Sequence, residues 1–130
     1  MAIFTIGYGG RKLDDLIAVL RRYDISVVVD VRRFPKSKLP EYNEQSLRSR
    51  LAKCGISYVW MGDTLGGLRR GGYIKYMATD NYQAGIAKLL EMAEQGNIVL
   101  MCKERSDAGC HRRHIVETLA KKGVRAVPLA

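Results

Sequence analysis

A chain of 130 residues has the length of one ordinary domain and can bury a hydrophobic core without disulfide support. Lysine and arginine number 22 against 13 aspartates and glutamates. The formal net charge of +9 favours anionic partners, although a uniformly basic surface gives the same excess. No segment approaches the ~20 apolar residues that cross a bilayer, and the N-terminal apolar run is too short for a signal peptide. We therefore expect a cytoplasmic protein without membrane contacts.

The chain begins with a strand–helix–strand pattern. The short apolar run Ala2–Ile6 predicts the first strand. Leucine and isoleucine at positions i, i+3, i+4 and i+7 place one apolar stripe on a helix over residues 12–23. Three consecutive valines in Ser26–Val31 are typical of a strand that is buried on both faces.

A second helix and a third strand follow. The helix is expected over residues 44–54, with Asn43 as its N-cap and Cys54 in the core. Ile56–Trp60 is the third predicted strand. The next stretch, Gly62–Gly72, is too rich in glycine to predict regular structure.

A longer helix is expected in the second half of the chain. A short helix over Ile74–Thr79 precedes it. Asp80 with Gln83 resembles a capping box that begins the longer amphipathic helix, and Gly96 is expected at its end.

The remaining elements complete an alternating α/β pattern. Asn97–Cys102 predicts a fourth buried strand, His111–Lys122 a last helix and Val124–Leu129 a fifth strand. Strands that alternate with helices indicate βαβ units. The sequence therefore predicts a single three-layer α/β domain over residues 1–130. Its mostly parallel central sheet has about five strands with helices on both faces, in a Rossmann-like or flavodoxin-like layout.

Cations concentrate in the segments that follow the predicted strands. Ligands of open parallel sheets bind beyond the carboxyl ends of the strands, where helix N-termini and free N–H groups attract anions. Twelve of the 22 cations lie there: Arg11, Lys12, Arg32, Arg33, Lys36, Lys38, Arg69, Arg70, Lys103, Arg105, Arg112 and Arg113. We expect an anion-binding site formed by Gly7, Tyr8, Gly9, Arg32, Arg33 and Arg112.

A cysteine–histidine cluster supplies the candidate chemistry. Cys102 ends a predicted strand and Cys110 begins a predicted helix, where the helix dipole and nearby arginines stabilise a thiolate. An odd number of cysteines in a reducing compartment argues against a disulfide framework. Asp30, Glu104 and His111 are candidates for proton transfer, and Asp30 is alternatively a partner that orients a cation. The candidate catalytic residues are thus Cys102, Cys110, Asp30, Glu104 and His111.

This pattern predicts a cysteine-dependent transferase or hydrolase that acts on a phosphate-containing substrate, with a nucleotide or nucleic-acid component favoured. Dinucleotide-binding and P-loop motifs are absent from the sequence, and we expect no cofactor and no metal. One alternative is a non-catalytic nucleic-acid-binding module. Another is a redox or metal switch through Cys102 and Cys110, with His114 as a further metal ligand one helical turn beyond Cys110. A third alternative is that the cysteines have a purely structural role.

The combination of motifs resembles a known family. The motifs are Thr5-Ile6-Gly7-Tyr8-Gly9, Asp30-Val31-Arg32 with Pro35 and Ser37, Leu65-Gly66-Gly67, Cys102-x-Glu104 and Cys110-His111-Arg112. In this order, over nearly the whole chain, they are similar to those of the domain-of-unknown-function family 488. The resemblance implies an α/β fold with the Asp-Val-Arg and Cys-His-Arg motifs close together, and it names no reaction.

Overall fold

The computed structural model describes residues 2–107 and 110–129, which form five strands with one or more α-helices between successive strands, six α-helices in all. The strands are β1 (Ile3–Gly7), β2 (Ile25–Asp30), β3 (Ser57–Trp60), β4 (Asn97–Cys102) and β5 (Ala126–Pro128). The helices are α1 (Leu13–Arg22), α2 (Glu44–Lys53), α3 (Gly62–Leu65), α4 (Tyr73–Tyr76), α5 (Asp80–Gln95) and α6 (Arg112–Lys121), with a 3-10 turn at Pro40–Tyr42. None of the described helices combines the length and apolar character that crossing a bilayer requires.

The strands form one parallel sheet in the order β3-β2-β4-β1-β5. Because side chains alternate between the two faces of a strand, Val28 contributes to one core and Val29 to the other. The first core is covered by α1 and α2, and the second by α3, α5 and α6. The predicted three-layer α/β architecture with a parallel sheet of five strands is therefore confirmed.

The strand order opens a crevice at the carboxyl edge of the sheet. The chain leaves β1 and β2 toward one face and leaves the intervening β4 toward the other, and such reversals create binding crevices in open α/β sheets. Backbone pairing continues past the strand ends, because Tyr8 N–H donates to Cys102 O (3.0 Å) and Val31 N–H donates to Met101 O (3.1 Å). The loops after these three strands are therefore held side by side.

The start of α5 differs from the predicted capping box. Its N-cap is Thr79 rather than Asp80, and the Thr79 hydroxyl accepts a hydrogen bond from Tyr82 N–H at 3.3 Å. The Gln83 amide donates instead to Met77 O at 3.1 Å. Thr79 lies one residue before Asp80, and its hydroxyl already accepts from a free N–H of the first turn. The Gln83 side chain is therefore not needed for capping and makes another contact.

Three smaller expectations also need correction. The glycine-rich stretch contains the helical turn α3, which forms because Leu65 is fully buried and the missing side chain at Gly62 lets Arg32 O approach. Asn43 occupies the N-cap position of α2, but its side chain accepts from Ser37 N–H at 2.6 Å rather than from the helix. Cys54 lies half-buried at the C-cap of α2, at the edge of the core.

Candidate functional site

A cavity of about 430 Å³ opens at the carboxyl ends of β1, β2 and β4. Tyr8, Arg32, Cys102, Cys110 and His111 contribute to its wall, so the turn after β2 and the turn before α6 share one concave surface. Residues from the loop after α3 and from α4 complete the wall. Cavities of this size at strand ends are typical small-molecule sites, and we name this one the thiol cavity.

Two free thiols meet in the thiol cavity. Cys102 is the last residue of β4 and is buried, whereas Cys110 lies two residues before α6 and is half-buried. The two sulfur atoms and a ring nitrogen of His111 lie within 4.8 Å of one another. Cys110 Sγ lies 3.5 Å from His111 Nδ1. The cluster therefore combines two thiols with one imidazole.

The surroundings of Cys110 favour its thiolate. A hydrogen bond from the Cys102 thiol lowers the pKa of Cys110 most strongly. Burial acts in the opposite direction, but hydrogen bonds from His111 and from the backbone N–H of Arg112 lower the pKa further. The pKa of Cys102 is raised, because its thiol donates to Cys110 and because it is buried. Cys110 is therefore the thiolate of the pair, and Cys102 is its donor.

A backbone contact orients the His111 ring. Nε2 lies 2.9 Å from the carbonyl oxygen of Val31, which can only accept, so Nε2 carries a hydrogen. Nδ1 then faces the Cys110 sulfur. Gly67 packs against this ring, because a side chain there would come within 3.2 Å of Nδ1. The imidazole is thus held on both sides.

Asp30 and Arg32 form a buried ion pair behind the cavity wall. The Arg32 guanidinium donates to both Asp30 oxygens, from Nε at 2.9 Å and from Nη2 at 2.7 Å. The Tyr58 hydroxyl donates to the same carboxylate at 2.5 Å. Burial lowers the pKa of Arg32, but the hydrogen bond and charge of Asp30 outweigh this effect and raise it. Asp30 therefore acts as the partner that orients Arg32, and its carboxylate does not line the cavity.

Arg112 serves the scaffold of the site. Its guanidinium is fully buried and donates to the backbone carbonyls of Ile6 and Glu104, and its Nε lies 3.3 Å from Asp107 Oδ1. Gly7 lies at the same contact between the end of β1 and the segment after β4, since a Cβ at Gly7 would lie 1.7 Å from Glu104 O. Arg112 is not among the residues that line the cavity, so it is absent from the anion-binding set that we propose below.

The loop after β1 is also engaged internally. Tyr8 N–H and Gly9 N–H donate to the carbonyls of Cys102 and Lys103, at 3.0 and 2.8 Å. A Cβ at Gly9 would lie 2.8 Å from Lys103 O, so Gly9, like Gly7, permits close backbone packing. Of the three residues expected to bind an anion here, Tyr8 alone lines the cavity, with its ring stacked on Tyr42 at 4.2 Å.

Four cations line the cavity: Arg32, Arg33, Lys36 and Lys103. Glu104 is exposed and is the carboxylate among the described lining residues. The sequence places all four cations in strand-end segments, but the predicted anion site included only the two arginines.

The sequence patterns did not identify Tyr73, which lines the cavity with its ring centroid 5.5 Å from that of His111. No periodicity or motif marks Tyr73, because α4 is a single helical turn.

The thiol cluster also has the composition of a metal site. Cys102, Cys110 and His111 could offer ligand atoms to a thiophilic ion, with the carbonyl of Val31 supporting the histidine as such carbonyls often do. The histidine beside the thiols is His111, not His114 as the helical spacing had suggested. The His114 ring stacks on Tyr73 instead, at 5.4 Å.

Comparison with known proteins finds one family. The model of the family described as Domain of unknown function DUF488 matches residues 12–119. This range contains the turn after β2 and the whole thiol cluster. No match was found among curated proteins.

Proposed function

The chain belongs to the DUF488 family, and we propose that it is a cysteine-dependent enzyme acting on a phosphate-containing substrate, with Cys110 as the nucleophile. One observation carries the proposal: Cys110 Sγ lies 3.5 Å from His111 Nδ1 in a cavity lined by four cations. A thiol held as its thiolate at neutral pH is available as a nucleophile, and positive charge stabilises the anion that it attacks. In this proposal Arg32, Arg33, Lys36 and Lys103 bind the phosphate, and Asp30 positions Arg32.

The chemistry balances with the groups present. The Cys110 thiolate attacks phosphorus, an S–P bond forms and the P–O bond to the leaving group breaks. The leaving oxygen takes the proton of His111 Nδ1, which leaves a neutral imidazole. A water molecule then gives a proton to Nδ1 as it attacks phosphorus. The S–P bond breaks, phosphate leaves, and the thiolate and imidazolium are restored. If an acceptor hydroxyl replaces water, the same steps describe a transferase.

Two measurements test this proposal. The first is protection of Cys110 from iodoacetamide by inorganic phosphate, followed by peptide mass spectrometry. The second is turnover of p-nitrophenyl phosphate and a panel of phosphate esters. We expect protection and turnover in the wild type and in the control Cys54→Ser, and loss of turnover in Cys110→Ser. Protection without turnover of any ester, or turnover that survives in Cys110→Ser, overturns the catalytic role. Absence of protection overturns the phosphate site.

The proximity of the two sulfur atoms favours a second candidate, a redox function that uses peroxide as oxidant. Cys110 thiolate attacks a peroxide oxygen, an S–O bond forms and the O–O bond breaks, and the hydroxide that leaves takes a proton from solvent to become water. Cys102 then attacks the Cys110 sulfur, an S–S bond forms, and hydroxide leaves with the Cys102 proton as a second water. Two thiols are oxidised and one peroxide is reduced. A loss of about 2 Da after one equivalent of peroxide supports this candidate, and peroxide consumption without that loss contradicts it.

A further inference from the structure

A second cavity, of about 600 Å³, adjoins the thiol cavity across the turn Arg33–Lys36. Arg33, Phe34 and Lys36 line both cavities, so they form a partition between them. The far wall of the second cavity contains Trp60, and we name it the tryptophan cavity. A ligand that reaches over the partition contacts both compartments.

The partition is tied down by backbone hydrogen bonds, yet it exposes an aromatic ring. Lys36 N–H donates to Phe34 O at 2.8 Å, which closes a tight turn around Pro35. Glu44 N–H donates to Pro35 O at 3.0 Å and ties this turn to the start of α2. The Phe34 side chain is nevertheless 64% exposed. A hydrogen-bonded turn thus presents an exposed ring between two cavities, where a ligand can contact it.

The far wall is anchored to the same segment. Trp60 Nε1 donates to Arg32 O at 2.8 Å, so the indole is oriented by the residue that precedes the partition. Trp60 and Phe34 supply the aromatic surface of the tryptophan cavity, with Pro35 beside them. Planar, uncharged rings are the ligand groups that such surfaces bind by stacking.

Charge differs between the two compartments. The thiol cavity adds Arg32 and Lys103 to the shared cations, against one carboxylate, Glu104. The tryptophan cavity instead contains two carboxylates, from Glu44 and Asp63. Its third cation, Arg69, donates to the backbone carbonyls of Gly62 and Asp63 in α3 and of Gly66 directly after it. An anion is therefore favoured on the thiol side, and a group with N–H donors is favoured on the tryptophan side.

We propose that the tryptophan cavity binds the base of a nucleotide whose phosphate lies in the thiol cavity. The base stacks on Phe34 and directs its exocyclic amino group toward Glu44 or Asp63, and the ribose spans the partition. The placement of the phosphate rests on the proposed function, whereas the base site rests on the tryptophan cavity. The inference thus specifies the substrate of the proposed enzyme as a nucleoside phosphate whose base carries an amino group.

The single tryptophan of the chain makes the experiment selective. Trp60 fluorescence reports on the tryptophan cavity, and protection of Cys110 from iodoacetamide reports on the thiol cavity. The ligands are AMP, adenosine and ribose 5-phosphate. We expect AMP to change both signals, adenosine to change the fluorescence, and ribose 5-phosphate to protect Cys110 with no change in fluorescence.

Variants of exposed apolar residues separate stacking from general effects. Phe34→Ala should weaken AMP binding about tenfold, a typical loss for one base-stacking contact, and should weaken protection by ribose 5-phosphate much less, because ribose 5-phosphate has no base to stack. Ile74→Ala is the matched control, because Ile74 is 73% exposed and lines neither cavity. If AMP and ribose 5-phosphate protect equally and the fluorescence is constant, the base site is refuted and the phosphate site stands. If adenosine changes the fluorescence but no phosphate compound protects Cys110, the proposed function fails and the base site stands.

Discussion

The alkylation rate of Cys110 should be almost independent of pH between about 6 and 9, because Cys102, His111 and the Arg112 N–H stabilise its thiolate. A free cysteine, with a pKa of about 8.5, is roughly 1 part in 300 thiolate at pH 6. A thiolate whose pKa is about 4 is intrinsically about 100-fold less nucleophilic than that of free cysteine. Cys110 should therefore react about threefold faster than free cysteine at pH 6, and about 100-fold slower above pH 9.

The assay is the rate of iodoacetamide incorporation at Cys110, measured by peptide mass spectrometry in a Cys54→Ser background. The variant His111→Gln removes the imidazole and should restore part of the pH dependence, because the pKa of Cys110 rises when its interactions with His111 are lost. A wild-type rate that climbs about 25-fold between pH 7 and 9, as the thiolate fraction of a thiol with a pKa of about 8.5 does, shows an ordinary thiol and refutes the reasoning. Cys110 is expected to react faster than free cysteine at pH 6 and slower above pH 9. A difference in access alone would change the alkylation rate by the same factor at every pH, so this reversal identifies a lowered pKa.

Three further predictions concern the scaffold and the charge of the site. Asp30→Asn should lower the free energy of unfolding by about 3–5 kcal/mol in urea titrations, because it leaves the Arg32 guanidinium buried without its counter-ion; a loss under about 1 kcal/mol contradicts this role. Gly7→Ala should lower the free energy of unfolding by about 3 kcal/mol in the same assay, because the added Cβ would lie 1.7 Å from Glu104 O. Wild-type stability of this variant would show that the contact between Gly7 and Glu104 relaxes freely. If the chain is instead a nucleic-acid-binding module, its affinity for RNA or DNA should fall with a slope of about −0.7 to −0.9 in log[salt] per phosphate contacted, whereas no binding at low salt removes that alternative.

The positions of the strands could be predicted because their signals are local. Asn97–Cys102 has the same bounds in the sequence prediction and in the structure, since an uninterrupted apolar run between a helix-ending glycine and a polar loop leaves little choice. The placement of Cys102 at the sheet edge follows from those bounds. The meeting of the turns after β2 and before α6 follows from parallel topology, because all strand carboxyl ends lie at one edge.

The roles of the arginines could not be predicted in this way. Arg112 lies in a motif of exposed character, yet its guanidinium is buried on carbonyls as distant in sequence as Ile6, 106 residues away. Arg32 and Arg33 are adjacent in sequence and both line the cavity. Arg32 pairs with the buried carboxylate of Asp30, whereas Arg33 has no buried carboxylate partner among the described contacts. Which arginine supports the scaffold and which is left to bind a ligand depends on long-range packing that periodicity does not encode.

Cys102 is the residue at which the two candidate functions make opposite demands. In the phosphate chemistry it only donates a hydrogen bond to the Cys110 thiolate, so Cys102→Ala should raise the pKa of Cys110 and shift the activity profile to higher pH, with the maximal rate largely retained. In the redox chemistry Cys102 forms the second half of the disulfide, and the same variant should stop at a Cys110 sulfenate that dimedone traps. The pH profile of ester turnover and the mass of the peroxide-treated variant decide between them. A variant that shows neither a shifted profile nor a trapped sulfenate would mean that the contact between the two sulfurs has no part in the chemistry.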